Sequence, residues 1–203
     1  FVISYADRPS CLFNKVHQKL TILLCNNNCD NKAVFVSKYN YWYKQERSGI
    51  FCNNEFIKLN NPILNCYPKV SNELELNILN KIVERKDSSL QEIIKNGDDK
   101  FYLNMRGFFW MKAFSFNPGS SEYKEFKCDS KYKNYILSIL NSSLFFFYWV
   151  AISDCWHITG KELGGFMVKT KDIDLEKYNE LYIQLEQKLE RTKQYIGTKQ
   201  VDY

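Results

Sequence analysis

The stretch Ser4-Tyr5-Ala6-Asp7-Arg8-Pro9-Ser10-Cys11-Leu12-Phe13, running on through Val16 to Leu24, constrains the fold more than any other part of the chain. It reads as a loop with Phe13 at its tip. A strand follows, in which Val16, Leu20, Ile22 and Leu24 recur at alternate positions. A strand so close to the beginning of a chain needs neighbours to pair with. The expectation is that it closes a sheet belonging to a larger enzyme, whose other strands lie upstream of residue 1.

The next apolar run, Ala33 to Ser37, predicts a partner strand for His17 to Cys25. The polar segment Asn26 to Asn31 supplies a turn, so the pair reads as a β-hairpin. Both runs are apolar enough for burial on two faces, as in an α/β sheet. Tyr39 to Asn61 mixes aromatic, charged and amide residues and predicts irregular structure. Pro62 and Pro68 bracket a short extended piece, Ile63 to Tyr67.

From Ser71 the period becomes helical. Leu74, Ile78, Leu79, Ile82 and Val83 form a stripe, and Asn72 with Glu75 resembles a capping box. A second short helix covers Leu90 to Lys95 and stops at Asn96-Gly97. Phe101, Leu103 and Met105 alternate with Tyr102, Asn104 and Arg106, which predicts a strand. Gly107 interrupts it, and Phe108 to Phe116 reads as its partner. Phe126 to Asp129 is a weaker strand. Helices are expected over Lys131 to Leu140 and Ser142 to Ile152, with a break or cap at Asn141-Ser142-Ser143, and Leu163 to Val168 reads as extended. Asp172 to Ile196 predicts a long helix with a seam of Leu175, Tyr178, Tyr182, Leu185, Leu189, Thr192 and Ile196. That seam could pack on its own domain or dock a partner.

Charge and cysteine usage bound the chemistry. Lys and Arg number 28 against 23 acids, giving +5, which permits nucleic-acid binding without demanding it. The seven cysteines are odd in number, lack any Cys-x-x-Cys, and have no second Cys/His pair at zinc spacing after Cys25 and Cys29. Reduced thiols, a cytoplasmic setting and no metal are expected. The apolar run Leu144 to Ile152 is far shorter than the roughly 20 residues of a membrane helix, so no membrane partner is expected. Phosphate-binding loops, Gly-x-Ser-x-Gly and His-Glu-x-x-His are absent from the sequence. His17 and His157 are the only histidines, and the carboxylate pairs Asp98-Asp99 and Glu73/Glu75 sit in polar contexts that suit solvated faces.

What the sequence does offer is basic residues interleaved with aromatic ones. One group is Arg8, Lys15, His17 and Lys19. A second is Lys100, Asn104, Arg106, Trp110 and Lys112. A third is Trp156, His157, Thr159 and Lys161. Arg, Lys and Asn hold phosphates or read base edges, and aromatic rings stack on exposed bases. Arg106 is the first candidate for guanine or phosphate, because its planar fork suits both. Trp156 could contact a base or be buried against Phe145 to Trp149. Asp154 could cap a turn or accept from a cytosine amine.

Two sets of motifs carry a family resemblance. Arg8-Pro9-Ser10-x-Leu12-Phe13-x-x-Val16-His17-x-x-Leu20-Thr21-Ile22 resembles the last conserved stretch of the catalytic domain in amino (N6-adenine) DNA methyltransferases, in particular the TaqI-like and type IIG restriction-modification group. Ile139-Leu140-Asn141-Ser142-Ser143-Leu144 to Trp149, then Ser153 to Ile158, then Leu163-Gly164-Gly165-Phe166-Met167-Val168, resembles the target recognition domain of the same enzymes.

The resemblance implies an α+β chain. A target recognition domain of mixed short strands and helices, residues 39–170, would follow the final β-hairpin of a Rossmann-like methyltransferase sheet, residues 1–38. A spacer or partner-docking helix, residues 171–203, would end it. The implied activity is that of a site-specific adenine DNA methyltransferase, which flips an adenine out of double-stranded DNA and methylates it from S-adenosylmethionine. Phe13 would stack on the flipped base, or else anchor its loop. Arg8, Lys15, Lys19, Asn104, Arg106, Lys112, Trp156, His157 and Lys161 are the implied DNA contacts. The Asn-Pro-Pro-Tyr type of catalytic motif and the glycine loop for S-adenosylmethionine are not in this sequence. They are expected upstream, so this segment by itself would be inactive and bind no cofactor. Its partners would be DNA, the rest of the methyltransferase and a nuclease domain or subunit. The alternative is a non-catalytic interaction or DNA-specificity module acting through its C-terminal helix.

Overall fold

The computed structural model describes residues 1–13, 15–26, 33–95, 97–107 and 110–194. Most of the turn expected at Asn26 to Asn31, the helix stop at Asn96, Phe108-Phe109 and Ile196 lie outside these residues. The chain is mixed α+β and divides into two compact units. Residues 1–81 with 150–152 form the first, and residues 82–149 with 153–203 the second.

In the first unit, β1 (Val2–Tyr5), β2 (Leu20–Leu23), β3 (Val34–Asn40) and β4 (Ile57–Leu59) make one sheet in the order β2-β1-β3-β4. β1 runs antiparallel to β2 and parallel to β3, and β3 runs antiparallel to β4. The expected hairpin of residues 17–25 with 33–37 is therefore corrected. Residues 2–5 form a strand, and it lies between the two that were paired. The reason is burial: Ile3 and Tyr5 point into a core with Trp42, and such a strand belongs at the sheet centre. β2 becomes an outer strand with an alternating, half-buried pattern, and Leu23 and Leu24 stay exposed.

The region expected to be irregular holds a 3-10 turn, Lys44–Gly49, as well as β4. α1 (Glu73–Val83) begins where its cap predicts. The Asn72 side chain accepts from the Glu75 N–H at 2.9 Å, while the Glu75 carboxylate returns to the Ser71 N–H at 2.7 Å. Its buried face centres on Leu79 and Ile82, and Leu74 is exposed.

In the second unit, β5 (Ser88–Ser89) leads into α2 (Leu90–Ile93). β6 (Asp99–Asn104) is the centre of an antiparallel sheet, flanked by β7 (Ala113–Phe114) and β8 (Tyr123–Cys128). β8 is thus the longer partner of β6, and β7 the shorter. The alternation expected along β6 does not translate into one wet face, because Phe101, Tyr102, Leu103 and Asn104 are all buried. A central strand is covered on both sides, and Tyr102 meets that burden by donating its hydroxyl to Glu125 at 2.8 Å.

α3 (Lys133–Leu140) and α4 (Ser143–Ile152) follow, broken at the expected place. The Ser142 hydroxyl accepts from the Phe145 N–H at 3.1 Å and caps α4. The Asn141 amide reaches across to β7. It accepts from the Ala113 N–H at 3.1 Å and donates to the Ala113 carbonyl at 2.8 Å, so a side chain satisfies a strand's backbone. α4 is apolar all round, as a core helix should be. No single helix among the described residues is long and apolar enough to cross a membrane; residues 130–140 and 143–152 have the length and composition only as a pair, and the pair is bent by 66°.

The segment expected to be extended at Leu163 to Val168 begins instead as α5 (Gly160–Gly165). Only β9 (Met167–Val168) is extended, and it pairs with β5. The Thr159-x-x-Glu162 capping box dictates the helix: Glu162 accepts from the Thr159 N–H at 2.7 Å. α6 (Leu175–Thr192) packs on its own unit. Tyr178 meets Tyr135 edge-on at 4.7 Å, and the buried Tyr182 hydroxyl accepts from the Ser115 N–H at 3.0 Å.

Candidate nucleic-acid interface

The loop between β1 and β2 carries the first group of predicted residues. Leu12 packs on the cluster of Ile3, Tyr5 and Trp42, alongside Ile22, Ile50 and Phe56. Phe13, the next residue, is 59% exposed. Anchor and presented ring are therefore different residues. The Val16 N–H donates to the Phe13 carbonyl at 3.1 Å and closes the tip, with Lys15 in the left-handed region at φ 62°. Arg8 and Lys15 are exposed, while Lys19 is half-buried. The Cys11 thiol lies 3.3 Å from His17 Nδ1.

A residue that sequence reasoning passed over holds this loop from outside. Arg47, on the 3-10 turn, donates from Nη1 to the Cys11 carbonyl at 3.3 Å and from Nη2 to the Leu12 carbonyl at 2.6 Å. Its guanidinium also lies over the Trp42 ring, 5.5 Å from the centroid. No local pattern in Tyr39 to Asn61 marks it.

The second unit brings together two segments that lie far apart in sequence. Arg106 and His157 form an antiparallel bridge. The Gly107 N–H donates to the Trp156 carbonyl at 3.2 Å, and the Ile158 N–H to the Met105 carbonyl at 2.9 Å. Lys112 joins the same edge, since its carbonyl accepts from the Asn104 N–H at 2.9 Å, and its ammonium lies 5.6 Å from the centre of the Trp110 ring. Lys161 is exposed on the first turn of α5, four residues beyond His157.

Within this edge the side chains differ in role. Arg106 is exposed and pairs with Glu122 at 3.2 Å. Trp156 and Trp110 are each 37% exposed, so Trp156 is not buried against α4, whose own Trp149 is buried. Asn104 does not reach out. It is buried, and its Oδ1 accepts from the Arg106 N–H at 2.9 Å, shaping the turn that presents Arg106. Asp154 caps the other segment by accepting from the N–H groups of Trp156 at 2.8 Å and His157 at 2.9 Å. Burial raises the Asp154 carboxyl, but these two amides and the His157 ring together hold it below the usual carboxylate range. Cys155, at φ 57°, provides the bend that the cap requires. The His157 carbonyl accepts from the Trp149 indole N–H at 2.8 Å, which ties the edge to the core.

Chemically, such an edge can bind anions and stack on planar groups. Its acid–base pair is Asp154 Oδ2 with His157 Nδ1, 3.4 Å apart and both exposed. Among the described residues no group of three or more His, Cys, Asp or Glu is placed to hold a metal ion. Comparison with protein-family models, with curated proteins and with solved structures finds no match for this chain.

Proposed function

We propose that this chain is the DNA-recognition part of an S-adenosylmethionine-dependent, adenine-specific DNA methyltransferase of a restriction-modification system, together with one wall of its adenine pocket. The observation that carries the reading is the division of labour between Leu12 and Phe13. Leu12 anchors the loop, which leaves the Phe13 ring available to a base. A flipped adenine has lost its stacking partners, and an aromatic ring restores about 1–3 kcal/mol of that loss.

The antiparallel pair β1–β2 would be the final hairpin of the Rossmann-like sheet, and the second unit the target recognition domain. Arg106, Lys112 and Lys161 would neutralise phosphates or read base edges, with Trp156 and His157 beside them. β1 runs into Ala6-Asp7-Arg8-Pro9, a segment without glycine, so the loop after β1 would not be the glycine loop that approaches the cofactor. Methyl transfer would belong to whatever polypeptide carries the cofactor loop and the Asn-Pro-Pro-Tyr motif; a nuclease would be a further partner.

The test is a salt series of binding to labelled duplex DNA. The expected result is an affinity whose logarithm falls linearly with the logarithm of salt concentration. No affinity at low salt would sink the proposal.

A further inference from the structure

We propose that Arg47 is the positioning residue for the Phe13 loop: its two-pronged grip on consecutive carbonyls sets where the Phe13 ring is presented. The inference rests on the reading of Phe13 as a base-stacking residue. Three observations carry it.

First, the grip falls on the two residues that immediately precede Phe13. Nη1 donates to the Cys11 carbonyl at 3.3 Å and Nη2 to the Leu12 carbonyl at 2.6 Å. A planar fork that holds two successive carbonyls fixes the orientation of the peptide between them, and with it the direction in which the chain leaves Leu12. Second, the fork is itself held. It lies over Trp42, 5.5 Å from the ring centroid, and Trp42 is buried in the core that receives Leu12. One core thus fixes the loop twice, through the Leu12 side chain and through Arg47. Third, the loop's own contacts close its tip, with the Val16 N–H on the Phe13 carbonyl at 3.1 Å and Cys11 Sγ 3.3 Å from His17 Nδ1, while the Leu12 carbonyl, at the peptide that leads into Phe13, is met by Arg47.

An exposed arginine beside DNA could instead act as a plain phosphate contact. The two roles differ in what lysine can replace. A lysine keeps the charge but not the fork. It can hold a phosphate, yet it cannot donate to two carbonyls in fixed directions.

The experiment uses duplex DNA carrying 2-aminopurine opposite an abasic site, a base already free of its pair, mixed with the full chain. The signal is the fluorescence quench when the base stacks on a ring, read alongside duplex affinity. Wild type is expected to quench. Phe13→Ala loses the quench while duplex Kd changes by less than about threefold. Arg47→Ala and Arg47→Lys are both expected to lose the quench, and the double variant Phe13→Ala/Arg47→Ala to match Phe13→Ala alone, because the two residues act as one unit. A wild-type quench in Arg47→Lys, or additive losses in the double variant, would overturn the role of Arg47 while leaving Phe13 as the stacking residue. A Phe13→Ala protein that binds and quenches like wild type would overturn the stacking reading and this inference with it. So would a wild-type chain that does not bind the duplex. Circular dichroism and urea midpoints of each variant identify a protein that has failed to fold. For such a variant, Arg47→Gln, which keeps one donor group and no charge, is the replacement, with loss of quench again the expected result.

Discussion

Gly107 lies flat against the Trp149 indole, and a Cβ at this position would stand 2.4 Å from Cζ2 of the ring. Trp149 is buried, and its N–H is committed to the His157 carbonyl at 2.8 Å, so the ring cannot swing away. The close approach lets the Gly107 backbone reach Trp156 and seat the Arg106–His157 bridge. Gly107→Ala is therefore expected to cost about 1–3 kcal/mol through overpacking. The urea midpoint of the purified chain measures it, and a midpoint unchanged from wild type would contradict this packing.

Leu12→Ala and Phe13→Ala should separate stability from binding. Leu12 touches the core and its truncation should cost about 1 kcal/mol, as for a partly buried leucine. Phe13 is exposed, and its truncation should leave the midpoint within about 0.5 kcal/mol. Equal losses for the two variants would mean that Phe13 anchors the loop as much as Leu12 does.

Arg106→Ala should weaken duplex binding roughly tenfold and make the salt dependence shallower, since an arginine at this edge neutralises phosphate or grips a base. Glu122→Gln should act in the opposite direction, tightening binding by roughly threefold, because it frees the guanidinium from its 3.2 Å partner. Filter binding at several salt concentrations reads both. Unchanged slopes in Arg106→Ala would move the interface elsewhere.

Acid should loosen the second unit through Asp99. The Lys133 ammonium, 2.9 Å away, together with the Lys100 amide, holds the Asp99 carboxyl below its ordinary value. A carboxylate with a depressed folded pKa contributes its stability above the ordinary value, and that contribution fades as the pH falls through the folded one. Urea midpoints should therefore be level near neutrality and drop below about pH 4. Asp99→Asn is expected to be less stable at neutral pH and to show a flatter decline. A decline as steep as that of wild type would exclude this pair as a contributor.

Thiol reactivity should follow burial. Burial, and then the negative charge of Asp99, push the Cys128 thiol up to about 11, whereas Cys25 and Cys52 are exposed. At pH 8 a thiol reagent is expected to label Cys25 and Cys52 in the native chain, and Cys128 only after unfolding in urea. Site-resolved mass spectrometry decides, and early labelling of Cys128 would contradict its burial at the end of β8.

The parts of this protein that the sequence itself determined are those written in local patterns. The break between α3 and α4 was legible because Asn141-Ser142 offers polar side chains to orphan backbone groups, and the presence of α6 because its apolar residues recur at helical spacing, although the helix starts at Leu175 rather than Asp172 and ends at Thr192. α5 was equally legible in Thr159 and Glu162, and only the apolar run after it concealed the signal. Tertiary structure alone decided the rest. β1 became the central strand through the burial of Ile3 and Tyr5 with Trp42, some forty residues away. Arg106 met His157, and Arg47 met Leu12, through contacts between distant segments. Caps and periodicity act over a few residues and leave their mark in the order of the letters. Strand pairing and side-chain clamps act between residues that only the folded chain makes neighbours, and no local pattern encodes them.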